Sequence, residues 1–116
     1  MAIKQNDPKK RGAAARRKGA NAERELSHIL NEQYGLDTKR GQCFNHESDL
    51  VGIWGIHPEV KRQEKLNIYK AMDQADIESV KRLDGLPAVF HRKDGEGWLV
   101  TMRLPDWIKL YKDWSV

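Results

Sequence analysis

The feature that most constrains this chain is where its apolar residues recur at helical spacing. Leu26, Ile29, Leu30 and Tyr34 fall on one face of a first helix, and Ile68, Met72 and Ala75 on one face of a second. Asn21 suits the cap of the first helix and Gly35 its stop, while Asn67 opens the second, which runs to about Val80 before Asp84-Gly85 breaks it. Between the helices, the stretches around Thr38–Phe44, Asp49–Trp54 and Ile56–Arg62 favour strand, with Gly52 and Gly55 as punctuation, and are expected to form an antiparallel meander. Pro87–His91 and Trp98–Met102 flank a turn at residues 93–97 and read as a hairpin, and Pro105 sits near the first turn of a short last helix. The expected order is αβββαββα, an α/β (α+β) chain with a mixed central sheet flanked by helices.

At 116 residues there is room for one sheet and a few helices around a single core. The lone cysteine, Cys43, cannot form an internal disulfide and reads as a small hydrophobe. No apolar run approaches the ~20 residues of a membrane span and no signal-peptide core follows the basic start, so the expectation is a soluble, cytoplasmic protein with no membrane partner. The formal charge of +4 is unevenly distributed. Residues 1–18 carry seven Lys/Arg against Asp7 alone, whereas the rest of the chain is slightly acidic. Residues 1–18 are therefore expected to be a flexible basic arm that becomes helical only on a polyanion, with residues 19–116 as the single folded domain. Lys9, Lys10, Arg11, Arg16, Arg17 and Lys18 would follow phosphates, the competing reading being a solvated tail.

Four residues do not suit a plain core. Glu23 lies at i, i+3, i+7 and i+11 with Leu26, Leu30 and Tyr34, on the apolar face, while Glu25 points away. Asp49 opens a strand where a hydrophobe is preferred, and alternation puts Glu59 and Lys61 on one strand face with Val60 on the other. Three acids and a lysine in this arrangement suit metal-assisted phosphodiester cleavage. Mg²⁺ takes hard oxygen ligands and binds through one or two carboxylates plus the substrate phosphate, here Asp49 and Glu59. Lys61 would orient or deprotonate the attacking water or stabilise the developing charge, and Glu23 would reach in from the helix to fix a water or a second ion. The structural alternatives are an exposed Glu59–Lys61 ion pair, Asp49 as a turn cap after Ser48, and Glu23 as a first-turn acid facing the helix dipole.

In order along the chain, Lys18-Gly19-Ala20-Asn21-Ala22-Glu23-Arg24, Ser48-Asp49-Leu50-Val51 and Glu59-Val60-Lys61 resemble the KGxxxER, (P/S)D(I/L)(I/V) and ExK motifs of the PD-(D/E)XK nucleases, in particular the archaeal-type and phage-encoded Holliday junction resolvases. Gln74 is similar to a glutamine that supports the site in that family. The resemblance covers roughly residues 16–104. It implies a restriction-endonuclease-like core in residues 19–116, and catalytic roles for Glu23, Asp49, Glu59 and Lys61. It implies Mg²⁺, with Mn²⁺ as substitute, held by Asp49, Glu59, the Val60 backbone carbonyl and Glu23, and a homodimer that cuts branched DNA in recombination. Pro58, immediately before Glu59, makes that strand an edge or a bulged one. The alternatives are a general or restriction-like endonuclease or nickase, and a non-catalytic nucleic-acid-binding module.

The remaining candidates are weaker. Lys39, Arg40, Arg62 and Lys65 flank the proposed site and would hold phosphates or simply be solvated. His28, His46, His57 and His91 lack the spacing of a zinc site, and His57 reads as a surface residue rather than a general base. Trp107, Leu110, Tyr111 and Trp114 form a stripe on the last helix for which core packing is the first expectation and a dimer interface the second.

Overall fold

The computed structural model describes residues 8–42 and 47–115. The helix α1 spans Pro8–Tyr34, the strand β1 Lys39–Arg40, β2 Leu50–Val51 and β3 Ile56–Arg62. They are followed by α2 (Ile68–Arg82), β4 (Leu86–Arg92), β5 (Leu99–Met102) and α3 (Leu104–Trp114), giving the expected αβββαββα order. The strands form an antiparallel pair, β1 with β2, and a mixed sheet in the order β3-β4-β5.

Residues 8–18 are helical: α1 begins at Pro8 and continues without a break through residue 18. Ala13–Ala15 and the neighbouring Arg and Lys residues are strong helix formers, and extending an existing helix adds hydrogen bonds without a new nucleation cost. Residues 1–7 lie outside the described residues, as do Cys43, Phe44 and His46. Further along α1, Ala22 and Leu26 are buried and Leu30 packs beside them, whereas Tyr34 is exposed.

The expected antiparallel meander ends at β2. β3 instead pairs with β4, in parallel, with Glu59 opposite Val89 and Val60 opposite Phe90, and α2 is the crossover between them. β2 is only two residues long, and Gly52 and Gly55, both at positive φ, turn the chain out of that pair before β3 begins. Leu86 and Gln63 mark the two ends of the β3–β4 ladder with bonds from Leu86 N–H to Gly55 and from Gln63 N–H to Arg92. This register turns the odd-numbered backbone groups of β3 toward β4 and the even-numbered ones toward the free edge. Pro58 is even-numbered, so its missing N–H takes no bond from the ladder. Pro87, in the central strand, lies just beyond the last β4–β5 partner pair, Ala88 with Met102.

Helices cover both sheet faces. Val60 packs with Ala22, Leu26 and Leu50, joined by Phe90, on the α1 side. On the opposite face Val89 packs with Ala71, Met72 and Ala75 of α2. Asn67 caps α2 by accepting the Lys70 N–H. Glu25 ties α1 to the strand ends: Arg92 clamps its carboxylate through Nε (2.7 Å) and Nη2 (2.9 Å), and the Trp98 indole N–H donates to it at 3.1 Å. The Arg92 hydrogen bonds, working against burial, hold the Glu25 carboxyl below its ordinary pKa.

The α3 stripe does not enter the core. No residue of α3 is buried, and Trp114 is 82% exposed. Both faces of the sheet are already occupied by α1 and α2, and α3 instead presents an aromatic series, Trp107 stacked on Tyr111 at 5.3 Å and Trp114 tilted against Tyr111 at 6.2 Å.

Candidate functional site

One cleft of about 630 Å³ at the free edge of β3 is lined by Glu23, Asp49, Glu59, Val60, Lys61 and Gln74, bringing together the candidates from four parts of the chain. Lys18 and Gly19 of α1 line it too. Each contribution has a local cause. Val60 is even-numbered in β3, so its N–H and carbonyl face the edge, and the N–H donates to Asp49 Oδ2 at 2.8 Å. The Asp49 side chain thereby occupies a position that a neighbouring strand would otherwise fill. Gly41 allows this approach, because a Cβ there would collide with the Ser48 carbonyl, and its own N–H donates to the Asp49 carbonyl at 2.9 Å. Glu59 and Lys61 project from the face of β3 that looks toward α2, and Gln74 is an exposed residue of α2.

These placements remove the structural alternatives one by one. Glu23 lies mid-helix, far from the first turn of α1, so the helix dipole does not account for it. Asp49 bonds across to β3 rather than capping a turn. Glu59 is buried, and no ion pair joins it to Lys61 among the described residues.

The carboxylates strain one another electrostatically. Burial, then the neighbouring charge of Glu59, push the Asp49 carboxyl from 3.8 up to about 6, with Glu23 adding to the effect and the Val60 N–H and Lys61 opposing it. A partly buried carboxylate so destabilised favours a nearby cation, and the outward-facing Val60 carbonyl is a further hard oxygen donor at the same edge. Among the described residues no group of three or more His, Cys, Asp or Glu side chains stands ready as a metal cage. The donor set fits a hard divalent ion that keeps several waters and takes only one or two carboxylates from the protein.

Glu23 is not turned wholly to the other acids, since its Oε2 accepts the Arg40 Nε–H at 2.8 Å. Arg40 is thus spent on an ion pair within the protein, and Arg62, though it lines the cleft, is paired with Asp94 (2.9 Å) and Glu25 (3.3 Å). Lys39 and Lys65 are exposed and do not line the cleft, while Lys9, Lys10, Arg11, Arg16 and Arg17 lie exposed along the first turns of α1.

Sequence reasoning missed two features. Glu78 and Arg82 also line the cleft and pair with each other at 3.2 Å. Their i, i+4 spacing reads as an ordinary helix-surface pair, and only the packing of α2 against β3 brings them to the site. The second is His57, expected at the surface and found 1% exposed. Its Nδ1 lies 2.8 Å from Asp84 Oδ1 and 2.9 Å from Ser48 Oγ. Burial acts to lower its pKa, but Glu59 and Asp84 outweigh that and raise it. Its parity with Glu59 and Lys61 on one strand was the available signal.

No protein-family model matches the sequence, and no curated protein is significantly similar to it. No helix among the described residues is long and apolar enough to cross a membrane.

Proposed function

We propose that this chain is a Mg²⁺-dependent DNA endonuclease of the PD-(D/E)XK type, acting as a homodimer on branched DNA such as a four-way junction. The observation that carries the reading is the convergence of Glu23, Asp49, Glu59, Lys61 and Gln74, drawn from α1, β3, α2 and the segment preceding β2, in one cleft. Asp49, Glu59 and the Val60 carbonyl are the groups to hold Mg²⁺, or Mn²⁺ in its place. When bound, that ion supplies positive charge to the scissile phosphate. The Lys61 ammonium donates to the attacking water, orients it, and faces the charge that develops on the phosphorus oxygens. Glu23 and Gln74 border the same space and restrict where the water can sit. Lys18 and the basic residues of the extended α1 continue from the cleft, a path for the DNA backbone.

The exposed face of α3 and the edge strand β5 supports self-association. Trp107, Tyr111 and Trp114 are about half or more exposed, and Val100 and Leu104, also exposed, line one pocket with Trp107. A fully exposed aromatic side chain offers ~150–250 Å², so with Trp107 and Tyr111 half covered this face supplies part of the ~800 Å² per partner of a standard interface. One site per chain then gives two sites per dimer, as cutting two strands requires.

The test is cleavage of a four-way junction, a linear duplex and a single strand, in Mg²⁺ or EDTA. The junction should be cut in Mg²⁺ alone, and Asp49→Asn or Glu59→Gln should abolish product while leaving DNA binding nearly intact. Equal cutting of duplex and junction would replace the junction-selective reading with a general endonuclease, and full activity of either variant would remove the assigned site.

A further inference from the structure

The buried group that the proposed chemistry leaves unused is His57. It lies two residues before Glu59 on the same face of β3 and is almost wholly enclosed. Its ring is fixed at one end: Nδ1 meets both Asp84 Oδ1 at 2.8 Å and Ser48 Oγ at 2.9 Å, and the Ser48 hydroxyl also donates to Asp84 Oδ2. Asp84 is held there by its chain neighbour Gly85, which adopts φ 137° and packs so closely on the backbone of Gly55 and Ile56 that any Cβ would collide with it. With Nδ1 secured, the ring cannot turn to seek another partner for Nε2. That nitrogen points at Glu59, 3.6 Å from Oε1, and is buried with no hydrogen-bond partner among the described residues. A buried polar nitrogen left without a full hydrogen bond is costly, and among the described residues the group placed to satisfy it is the Glu59 carboxylate.

We propose that His57 is a positioning residue for Glu59, clamped by Ser48 and Asp84 and fixing the Glu59 carboxylate where it lines the cleft. A glutamate side chain has several rotamers, and freezing them in advance removes an entropic cost that a ligand would otherwise meet. Partners that orient a metal-binding side chain typically change metal affinity by about 10–100-fold when removed. The effect on metal binding rests on the nuclease reading above, whereas the His57–Glu59 contact does not.

Two measurements on the full chain test this. In ¹H–¹⁵N NMR of the imidazole groups, the Nε2 signal of His57 should move in Glu59→Gln and stay in place in Glu23→Gln; an unmoved signal in Glu59→Gln overturns the contact. Calorimetric titration with Mn²⁺, without DNA, should then compare His57→Asn with His57→Gln. Asn offers its amide near the Nδ1 position and keeps Asp84 but loses Glu59, whereas Gln reaches the Nε2 position. Asn should weaken Mn²⁺ binding at least tenfold and Gln less than about threefold, both with DNA binding in EDTA unchanged. Equal Mn²⁺ affinity in folded Asn and Gln variants would leave His57 a packing residue and sink the proposal. Absence of Mn²⁺ binding and of Mg²⁺-dependent cleavage in the unaltered protein would count against the nuclease reading, and the NMR comparison would still decide the contact.

Discussion

Replacing Asp49 by Asn should stabilise the metal-free protein while abolishing cleavage. Burial first, and then Glu59, raise the Asp49 carboxyl from 3.8 to about 6. At about 1.4 kcal/mol per pH unit, keeping this group ionised in the folded protein costs roughly 3 kcal/mol at neutral pH. The folded chain holds the proton more tightly than the unfolded one. The stability contributed by Asp49 is therefore highest below pH 3.8, falls as pH rises to about 6, and is level above that. Asn keeps an oxygen for the Val60 N–H and carries no charge, so it lacks this penalty. Thermal and urea unfolding in EDTA at intervals from pH 4 to 8 should show the gap between variant and parent opening from near zero to roughly 3 kcal/mol. At about 4 °C per kcal/mol for a chain this size, that is a rise in Tm of roughly 12 °C. Added Mg²⁺ should narrow the gap from the parent side, because it binds only the folded parent. An Asn variant no more stable than its parent at pH 7.5, or a gap independent of pH, would refute the claim that Asp49 is a strained carboxylate awaiting a cation.

Three further outcomes are expected. Glu25→Gln should cost about 1.5–3 kcal/mol by loosening the Arg92 clamp. Because that clamp lowers the Glu25 pKa, the loss relative to the parent should be full above the ordinary carboxylate pKa and vanish as pH falls through the depressed value, which urea titration checks. Changing Arg16, Arg17 and Lys18 together to Ala should leave helix content by circular dichroism unchanged and flatten the salt dependence of DNA binding, by up to ~0.9 in the log–log slope per lost phosphate contact; an unchanged slope means this part of α1 does not touch DNA. Trp107→Ser with Trp114→Ser should turn a dimer into a monomer in sedimentation velocity with little change in the monomer's fold, since neither ring is buried within one chain.

The element order was legible because each run of apolar residues kept one period. Ile56–Arg62 is bounded by Gly55 and by the polar stretch at residues 63–65, and Asn67 marks the start of α2, so both elements were readable to within a residue or two. Pairing was not readable in the same way. Whether β3 joins β2 or β4 depends on contacts distant in sequence, and the two-residue length of β2 decides it. Glu23 and Asp49 could be found because each puts a carboxylate where the pattern asks for a hydrophobe, and Glu59 because alternation sets it on one face with Lys61. Glu78, Arg82 and His57 break no such pattern. Glu78 and Arg82 suit a helix surface and only tertiary packing reveals them, whereas for His57 the shared strand parity with Glu59 and Lys61 was the available signal and its burial comes from packing. For the basic N-terminal residues, charge density alone says little about whether an alanine-rich segment continues a helix.

The two edges of the mixed sheet are treated differently, and this difference bears on how a dimer would meet DNA. On β3, Pro58 presents no outward donor and the Val60 N–H is taken by Asp49, so that edge offers little for another strand to pair with. Asp49 and Val60, which help to close the edge to strand addition, also line the cleft. On β5, Leu99 and Val100 are exposed, no further strand follows among the described residues, and α3 sets its aromatic stripe nearby. An edge of that kind invites a partner. Association at β5 and α3 would leave the β3 edge of each copy, with its cleft and the basic turns of α1, open to a separate DNA strand. A dimer joined through β3 would bury the carboxylates against a second set of like charges, an arrangement that the already raised pKa of Asp49 makes unfavourable.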